Sequence, residues 1–152
     1  MVSRMPSIAT DWATHTRAQL ERAGHRSGGA RDAVIDLLAA QDCCVSAREI
    51  VEGLHERGSR VGIASVYRAL DVLDDLRLVR RLDAGEGVVR YEPADPTGDH
   101  HHHVVCDICG RVTAFADESL ERAIERLAAR LDYAIDGHDV VLRGECPRCR
   151  NG

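Results

Sequence analysis

Residues 62–92 read GIASVYRALDVLDDLRLVRRLDAGEGVVRYE, a stretch that begins with helical periodicity and ends as two short apolar runs around a turn. The periodicity predicts a helix over residues 62–77. Its apolar stripe consists of Ile63, Val66, Leu70, Leu73 and Leu76. Residues 78–82 and 88–92 predict two strands joined by the turn 83–87. A helix followed by a hairpin is the arrangement of the recognition helix and wing in a winged helix-turn-helix.

Two more helices of this motif are predicted upstream. Residues 30–40 carry apolar residues at helical spacing. Ser46 and Glu49 have the spacing of a capping box, which predicts the start of the next helix. Further upstream, residues 12–23 predict a short helix and residues 1–11 a flexible tail.

The stretch PADPTGD at residues 93–99 separates two regions of the chain. We predict a winged-helix DNA-binding domain over residues 1–92, a hinge over 93–99 and a second, small α/β domain over 100–152. The elements predicted in the second domain are a strand through four histidines, a strand near 112–115, a helix at 118–131 and a strand near 139–142. The chain is therefore expected to be of the α+β class.

Two C-x2-C pairs lie in the second domain, separated by 36 residues. Their members are Cys106, Cys109, Cys146 and Cys149. Four thiolates on one Zn²⁺ leave no open coordination position, so these pairs predict a structural zinc site. The alternatives are ordinary buried cysteines or a redox pair, and the second of these does not explain why there are two pairs.

The four consecutive histidines, residues 100–103, predict ligands for two further sites. Side chains alternate between the faces of a strand, so His101 and His103 point one way and His100 and His102 the other. The alternative is a solvated histidine tract.

Each histidine pair needs further ligands. Glu92 and Cys44, with His101 and His103, would form a site that joins the DNA-binding half to the second domain. Cys43 is the rival of Cys44, and no spacing rule decides between them.

The opposite pair, His100 and His102, can be completed by Glu121 and His138. A lone glutamate on a helix is usually only solvated, so the sequence gives Glu121 little weight.

The formal net charge of -5 argues against a generally basic nucleic-acid binder. Any DNA contact therefore depends on a local cluster of arginines. The candidates for phosphate contacts, on or beside the predicted recognition helix, are Arg57, Arg60, Arg68 and Arg77. Ser65 and Tyr67 are candidates for contacts with base edges or a thymine methyl group, although such a tyrosine can equally be a packing residue.

No apolar run approaches the roughly 18 residues of a membrane-spanning helix, and the N-terminus lacks the apolar core of a signal peptide. We therefore expect a cytoplasmic protein without a membrane partner. Thiols stay reduced in that compartment, so the six cysteines are interpreted as metal ligands or reactive thiols.

The runs VGIASVYRAL at residues 61–70 and HHHHVVCDICG at residues 100–110 resemble the ferric uptake regulator family, and the resemblance extends over roughly residues 20–150. It implies a homodimeric, metal-dependent transcription factor with an N-terminal winged helix and a C-terminal α/β dimerisation domain. The implied partners are double-stranded operator DNA and a second copy of the chain. The implied function is a metal-responsive repressor of genes for metal-ion uptake and homeostasis, not an enzyme.

The resemblance also implies roles for the candidate ligands. The four cysteines match a structural zinc site. Glu92, His101 and His103 match a regulatory site that spans the hinge, and Cys44 stands where iron-type members have a histidine. A further site is matched by His100, Glu121 and His138, with His102 at a position that holds Asp or His in the family.

DNA-contacting residues of the family are matched by Tyr67 and Arg68. Arg31 matches an arginine at the start of the helix after the glycines. The family often has the pattern T-x-Q-R there, whereas this chain reads GGAR at residues 28–31.

The thiol of Cys44 is a soft ligand that suits zinc better than manganese, so we predict Zn²⁺ at both the structural and the regulatory site, with Fe²⁺ as the alternative regulatory ion. The peroxide-sensing branch of the family is disfavoured, because it has Asp at the positions of Glu92 and Ala114.

The sequence disfavours two other classes of protein, a zinc enzyme and a zinc-ribbon adaptor. A zinc deaminase requires H-x-E and P-C-x-x-C, whereas this chain has no H-x-E and carries its proline inside the second pair, Cys146-Pro-Arg-Cys149. A zinc hydrolase would need an open coordination position and a base beside it. A zinc-ribbon adaptor that binds only protein does not explain the winged-helix half.

Overall fold

The computed structural model describes residues 6–96 and 101–152, and the side chains of the first stretch from residue 11 onward. The chain divides into two compact units, Met1–Asp99 and His100–Gly152. The predicted hinge at 93–99 lies only partly in the described part of the chain, and its role as a hinge stays a prediction. We describe each unit by itself.

The first unit has the helices and hairpin of a winged helix-turn-helix. Its elements are α1 (Pro6–Arg22), α2 (Gly29–Ala39), β1 (Val45–Ser46), α3 (Ala47–Glu56), α4 (Ile63–Asp75), β2 (Val79–Asp83) and β3 (Val89–Pro93). The strands form an antiparallel sheet in the order β1-β3-β2. The hairpin is confirmed, as is the capping box, in which Ser46 accepts from the Glu49 amide and the Glu49 carboxylate accepts from the Ser46 amide.

Helix α1 begins at Pro6, so the prediction of a flexible tail over residues 1–11 is wrong for residues 6–11; residues 1–5 lie outside the described part of the chain. Proline is a helix breaker in most positions but is tolerated in the first turn, where its missing N–H has no helical partner. Trp12 is fully buried, and its Nε1 donates to the Leu78 carbonyl at 2.8 Å. This contact holds α1 against the segment that leads into the wing.

The recognition helix α4 buries a narrower stripe than the sequence predicts. Its buried residues are Val66, Ala69, Leu70 and Leu73. Ile63, the first residue of α4, belongs to the predicted apolar stripe but is 45% exposed. The core beneath α4 is formed largely by aliphatic residues of α2 and α3, together with Trp12 and Tyr91.

The second unit is a small α/β unit, which confirms the predicted α+β class. Its elements are β4 (His102–Cys106), β5 (Val112–Phe115), α5 (Glu118–Leu131), β6 (Val141–Gly144) and α6 (Pro147–Arg150). The sheet order is β5-β4-β6, with β4 antiparallel to β5 and parallel to β6. The last strand begins two residues later than predicted, and the short α6 was not predicted.

Helix α5 carries the predicted apolar face, but none of its residues is buried within the chain. Leu120 and Ile124 are half-buried, whereas Leu127 and Leu131 are 43% and 56% exposed. The outer part of this face is therefore left uncovered by the chain itself. Among the described residues, none of the helices has both the length and the apolar composition needed to cross a membrane.

Candidate metal centres and DNA-binding surface

The four cysteines of the second unit form one cluster, in which all four sulfurs lie within 4.8 Å of one another. Cys106 ends β4, and Cys109 lies in the turn that follows. Cys146 is the N-cap of α6, and Cys149 lies within that helix. The two pairs meet because β4 and β6 are parallel neighbours, with Cys106 opposite Gly144. The donor set and its spacing fit a tetrahedral zinc ion.

Backbone amides prepare this cluster for a cation. The amide of Cys146 donates to the Cys106 sulfur at 3.3 Å, and this bond, with the amides of Cys109 and Ile108, lowers the pKa of Cys106 to about 6. The amide of Cys149 lowers the pKa of Cys146. Hydrogen bonds with the sulfurs of Cys146 and Cys109 raise the pKa of Cys149 to about 12. A bound cation would offset the negative charge of these sulfurs and favour the loss of their protons.

A second cluster in the same unit contains His102, Glu121 and His138. The Glu121 carboxylate contacts the Nε2 atoms of both histidines, at 2.7 Å for His102 and 3.0 Å for His138. His102 is 1% exposed. The helix N-cap at Asp117 places Glu121 in the first turn of α5, beside the strand. The fourth predicted member, His100, lies outside the described residues.

The predicted regulatory ligands of the first unit stand at the base of the wing. Cys44 and Glu92 are each 4% exposed. Cys44 directly precedes Val45 of β1, and Glu92 directly follows Tyr91 of β3. Because Val45 and Tyr91 pair in antiparallel strands, Cys44 and Glu92 lie next to each other. Contact with the Cys43 sulfur and burial raise the pKa of Cys44, and the Cys43 and Glu92 charges raise it further. A buried carboxylate beside a buried thiol is an arrangement that a divalent cation would stabilise.

The predicted regulatory ligands of the second unit lie at the start of β4. The rings of His101 and His103 are 4.9 Å apart, edge to face. His102, between them, packs instead against Phe115 and His138. The strand alternation predicted from the sequence is therefore present in these residues.

The predicted DNA contacts lie mostly on the surface of the first unit. Arg57, Arg60, Tyr67 and Arg68 are exposed, whereas Arg31 and Ser65 are half-buried. Tyr67 is 48% exposed, so it is not a core residue. The Arg68 guanidinium donates to the Ser65 hydroxyl at 3.0 Å.

A cleft of about 690 Å³ lies between α4 and the turn that precedes α2. Arg31 and Arg68 line it together with His25 and Arg26, two residues that the sequence analysis missed. The glycines on either side of His25 and Arg26 are the feature of the sequence that could have indicated this turn. Gly24, Gly28 and Gly29 all have positive φ in the structure. The cleft brings Arg26 and Arg31 close to Arg68 of α4, and Asp71 also lies in its lining.

Comparison with known proteins gives consistent matches. The model of the ferric uptake regulator family matches residues 22–143. The ferric uptake regulation protein of Legionella pneumophila is 34% identical over 133 residues, which cover 87% of this chain and 96% of that protein. The crystal structure of the Vibrio cholerae ferric uptake regulator superposes with a TM-score of 0.75 at 31% identity, covering 87% of this chain and 99% of that one. The Helicobacter pylori regulator shares the fold, with a TM-score of 0.81 at 24% identity and 93% coverage of both chains.

Proposed function

Because the chain belongs to the ferric uptake regulator family, we propose that it is a zinc-responsive repressor that binds operator DNA as a homodimer. The family consists of metal-responsive, DNA-binding transcription regulators, which are not enzymes. The observation that carries the zinc proposal is the buried Cys44 thiol beside the buried Glu92 carboxylate at the base of the wing. The regulated genes would serve metal-ion uptake and homeostasis.

The cysteine cluster is proposed to hold a structural Zn²⁺. The four sulfurs of Cys106, Cys109, Cys146 and Cys149 would close its coordination shell, so this ion would have no open position for regulation. It would join the turn after β4 to the end of β6. The role of this site is therefore to stabilise the second unit.

The regulatory site is proposed to consist of Cys44, Glu92, His101 and His103. Cys44 and Glu92 precede residues 93–99 in the chain, and His101 and His103 follow them. Binding of one ion by all four would therefore restrict the hinge between the units. In a dimer this restriction would set the separation of the two recognition helices, which must match half-sites about one helical turn apart. The ion needs only a moderate preference for the restricted form, since a tenfold gain in DNA affinity corresponds to about 1.4 kcal/mol.

Zinc is favoured over iron by the thiol of Cys44, because soft sulfur ligands suit Zn²⁺ better than the harder divalent ions. Iron is the second candidate, since the curated relatives are named for ferric uptake. The chain differs from iron-type members at Cys44, and this difference supports zinc.

His102, Glu121 and His138, with His100, are proposed to bind an additional ion in the second unit. The carboxylate of Glu121 lies within 3.0 Å of the Nε2 atoms of both described imidazoles, so that all three side chains could bind one ion. Such an ion would connect α5 to β4 and to the segment before β6.

DNA binding is assigned to the exposed face of α4 and its surroundings. The residues proposed to contact DNA are Arg31, Arg57, Arg60, Ser65, Tyr67 and Arg68. The arginines would contact phosphates, which fix position, and Ser65 and Tyr67 would contact base edges. The exposed leucines of α5 support the homodimer, because a second copy of this helix would cover them.

The function is tested by measuring DNA binding with and without the regulatory ion. An operator fragment is selected in vitro with zinc-loaded protein, and fluorescence anisotropy is then recorded for protein that retains only the structural zinc. Added Zn²⁺ should tighten binding at least tenfold, and more than Fe²⁺, Mn²⁺ or Ni²⁺. Equal affinity with and without every ion would refute metal-gated repression, whereas a larger response to Fe²⁺ would favour the iron alternative.

A further inference from the structure

Two adjacent cysteines occupy the loop between α2 and β1, although the family site needs only one ligand there. The sulfurs of Cys43 and Cys44 lie 3.7 Å apart. Two thiolates on one tetrahedral zinc ion, each about 2.3 Å from the metal, are about 3.8 Å apart. The sulfurs of Cys109 and Cys146, in the four-cysteine cluster, are also 3.8 Å apart. The separation of the adjacent pair is therefore that of two ligands on one ion.

The surroundings of the pair also suit a cation. Cys44 is buried and Cys43 half-buried, so a bound ion would be largely removed from water. Glu92, the other donor proposed from the same unit, is 4% exposed. A divalent ion on two thiolates and one carboxylate would leave one negative charge in excess. The Arg90 guanidinium lies close to that charge and is shared with Glu49: its Nη1 donates to the Cys44 carbonyl at 3.3 Å and to the Glu49 carboxylate at 2.8 Å.

We propose that Cys43 and Cys44 both bind the regulatory ion, so that the site contains two sulfurs. This inference rests on the proposed function, because it concerns the same regulatory site. A second thiolate shifts the preference of the site further toward thiophilic ions such as Zn²⁺, Cd²⁺ and Co²⁺, and away from Mn²⁺ and Fe²⁺.

The number of sulfur ligands can be counted with Co²⁺, because each cobalt–thiolate bond contributes to a charge-transfer absorption in the near ultraviolet. Full-length dimeric protein that retains zinc in the four-cysteine cluster is titrated with Co²⁺. The variants are Cys43→Ser, Cys44→Ser and the double substitution, with Asp42→Ser in the same loop as the matched control. Each single cysteine variant should lose about half of the wild-type absorption, the double variant all of it, and the control none.

The outcomes separate this inference from the proposed function. Full absorption in Cys43→Ser, with complete loss in Cys44→Ser, would overturn the two-sulfur site and leave metal-gated repression in place. No cobalt–thiolate absorption in the wild type would overturn the two-sulfur site and remove Cys44 from the regulatory ligands, whereas metal-gated repression is tested separately by the DNA-binding measurement.

A measurement on unmodified protein covers the case in which a variant fails to fold. The ¹¹³Cd resonance of cadmium at the regulatory site moves downfield with each thiolate. The ¹¹³Cd chemical shift of the wild type should match that of reference sites with two sulfur ligands, and lie between the shifts of one-sulfur and four-sulfur sites. A resonance at the one-sulfur position would contradict the inference.

Discussion

Glu92 is a carboxylate that is 4% exposed at the end of the wing strand β3. A buried charge is costly unless a cation or hydrogen bonds offset it. We expect Glu92→Gln, which keeps the shape and removes the charge, to abolish the roughly tenfold gain in DNA affinity on adding zinc. The metal-depleted variant should remain folded, because the substitution keeps the shape of the side chain.

Fluorescence anisotropy with the selected operator and urea unfolding of the metal-depleted protein check these two expectations. Glu86→Gln is the control, because Glu86 lies exposed in the turn of the wing and outside every proposed site. A Glu92→Gln protein that still responds to zinc would remove Glu92 from the regulatory set.

At the scale of single residues, the sequence predicts ligands best where backbone periodicity decides their direction. Strand alternation placed His102 apart from His101 and His103, and their ring contacts agree. No periodicity acts on Cys43 and Cys44, which stand in a loop between elements. Their sulfurs meet because of how the loop is folded, and that depends on distant residues such as Arg90.

At the scale of elements, helix α3 depends on its capping box. The Ser46 hydroxyl accepts from the Glu49 amide at 3.2 Å, and the Glu49 carboxylate accepts from the Ser46 amide at 2.7 Å. We expect Ser46→Ala to destabilise the first unit by about 1 kcal/mol, because it removes one of these two bonds. For a unit of this size the melting temperature should fall by about 4–8 °C.

Circular dichroism melting of the variant measures this effect, with Ser46→Asp as the matched substitution. Aspartate keeps a hydrogen-bond acceptor at the N-cap, so the melting temperature of the Ser46→Asp protein should stay close to that of the wild type. An equal loss in both variants would show that the helix start does not depend on the hydroxyl acceptor.

Elements with a local signal were predicted, and those fixed by distant contacts were not. Helix α5 runs from Glu118 to Leu131, as its periodicity predicts. Strand β1 has two residues, too few for any pattern, and exists because it pairs with β3. Helix α1 extends back to Pro6 in a segment without a clear apolar stripe, and the burial of Trp12 against the wing side of the unit is a long-range contact.

At the scale of the whole molecule, the exposed apolar face of α5 is the structural feature that most clearly indicates a homodimer. The sequence predicts the face, but only the structure shows that the chain leaves Leu127 and Leu131 exposed. We expect Leu127→Glu to raise the dissociation constant of the dimer at least tenfold, which corresponds to about 1.4 kcal/mol. The substitution places a charge in an apolar contact, and the symmetry of the dimer brings a second copy of that charge to the same contact.

Sedimentation velocity over a dilution series measures this change. Ala129→Glu is the control, because two residues along a helix correspond to a rotation of about 200° and place the same charge on the opposite side of α5. If both variants dissociate equally, or neither does, the leucine face is not the dimer contact.

The two units should differ in their dependence on metal. The hydrophobic core lies in the first unit, where its buried residues run from Trp12 to Tyr91. In the described part of the second unit the buried side chains are His102, His103, Val105 and Cys106. A unit of this size with so small a core usually needs a metal or a partner to stay folded.

Removing all metal with a strong chelator should therefore unfold the second unit first. Hydrogen exchange followed by mass spectrometry should show β4, β5 and β6 losing protection while α2, α3 and α4 keep theirs, because metal-binding free energy is folding free energy at such a site. Cys109→Ser should reproduce the effect in zinc-containing buffer, since three thiolates cannot close the site. Full protection of β4 and β6 after metal removal would mean that the fold of this unit does not depend on the cysteine cluster.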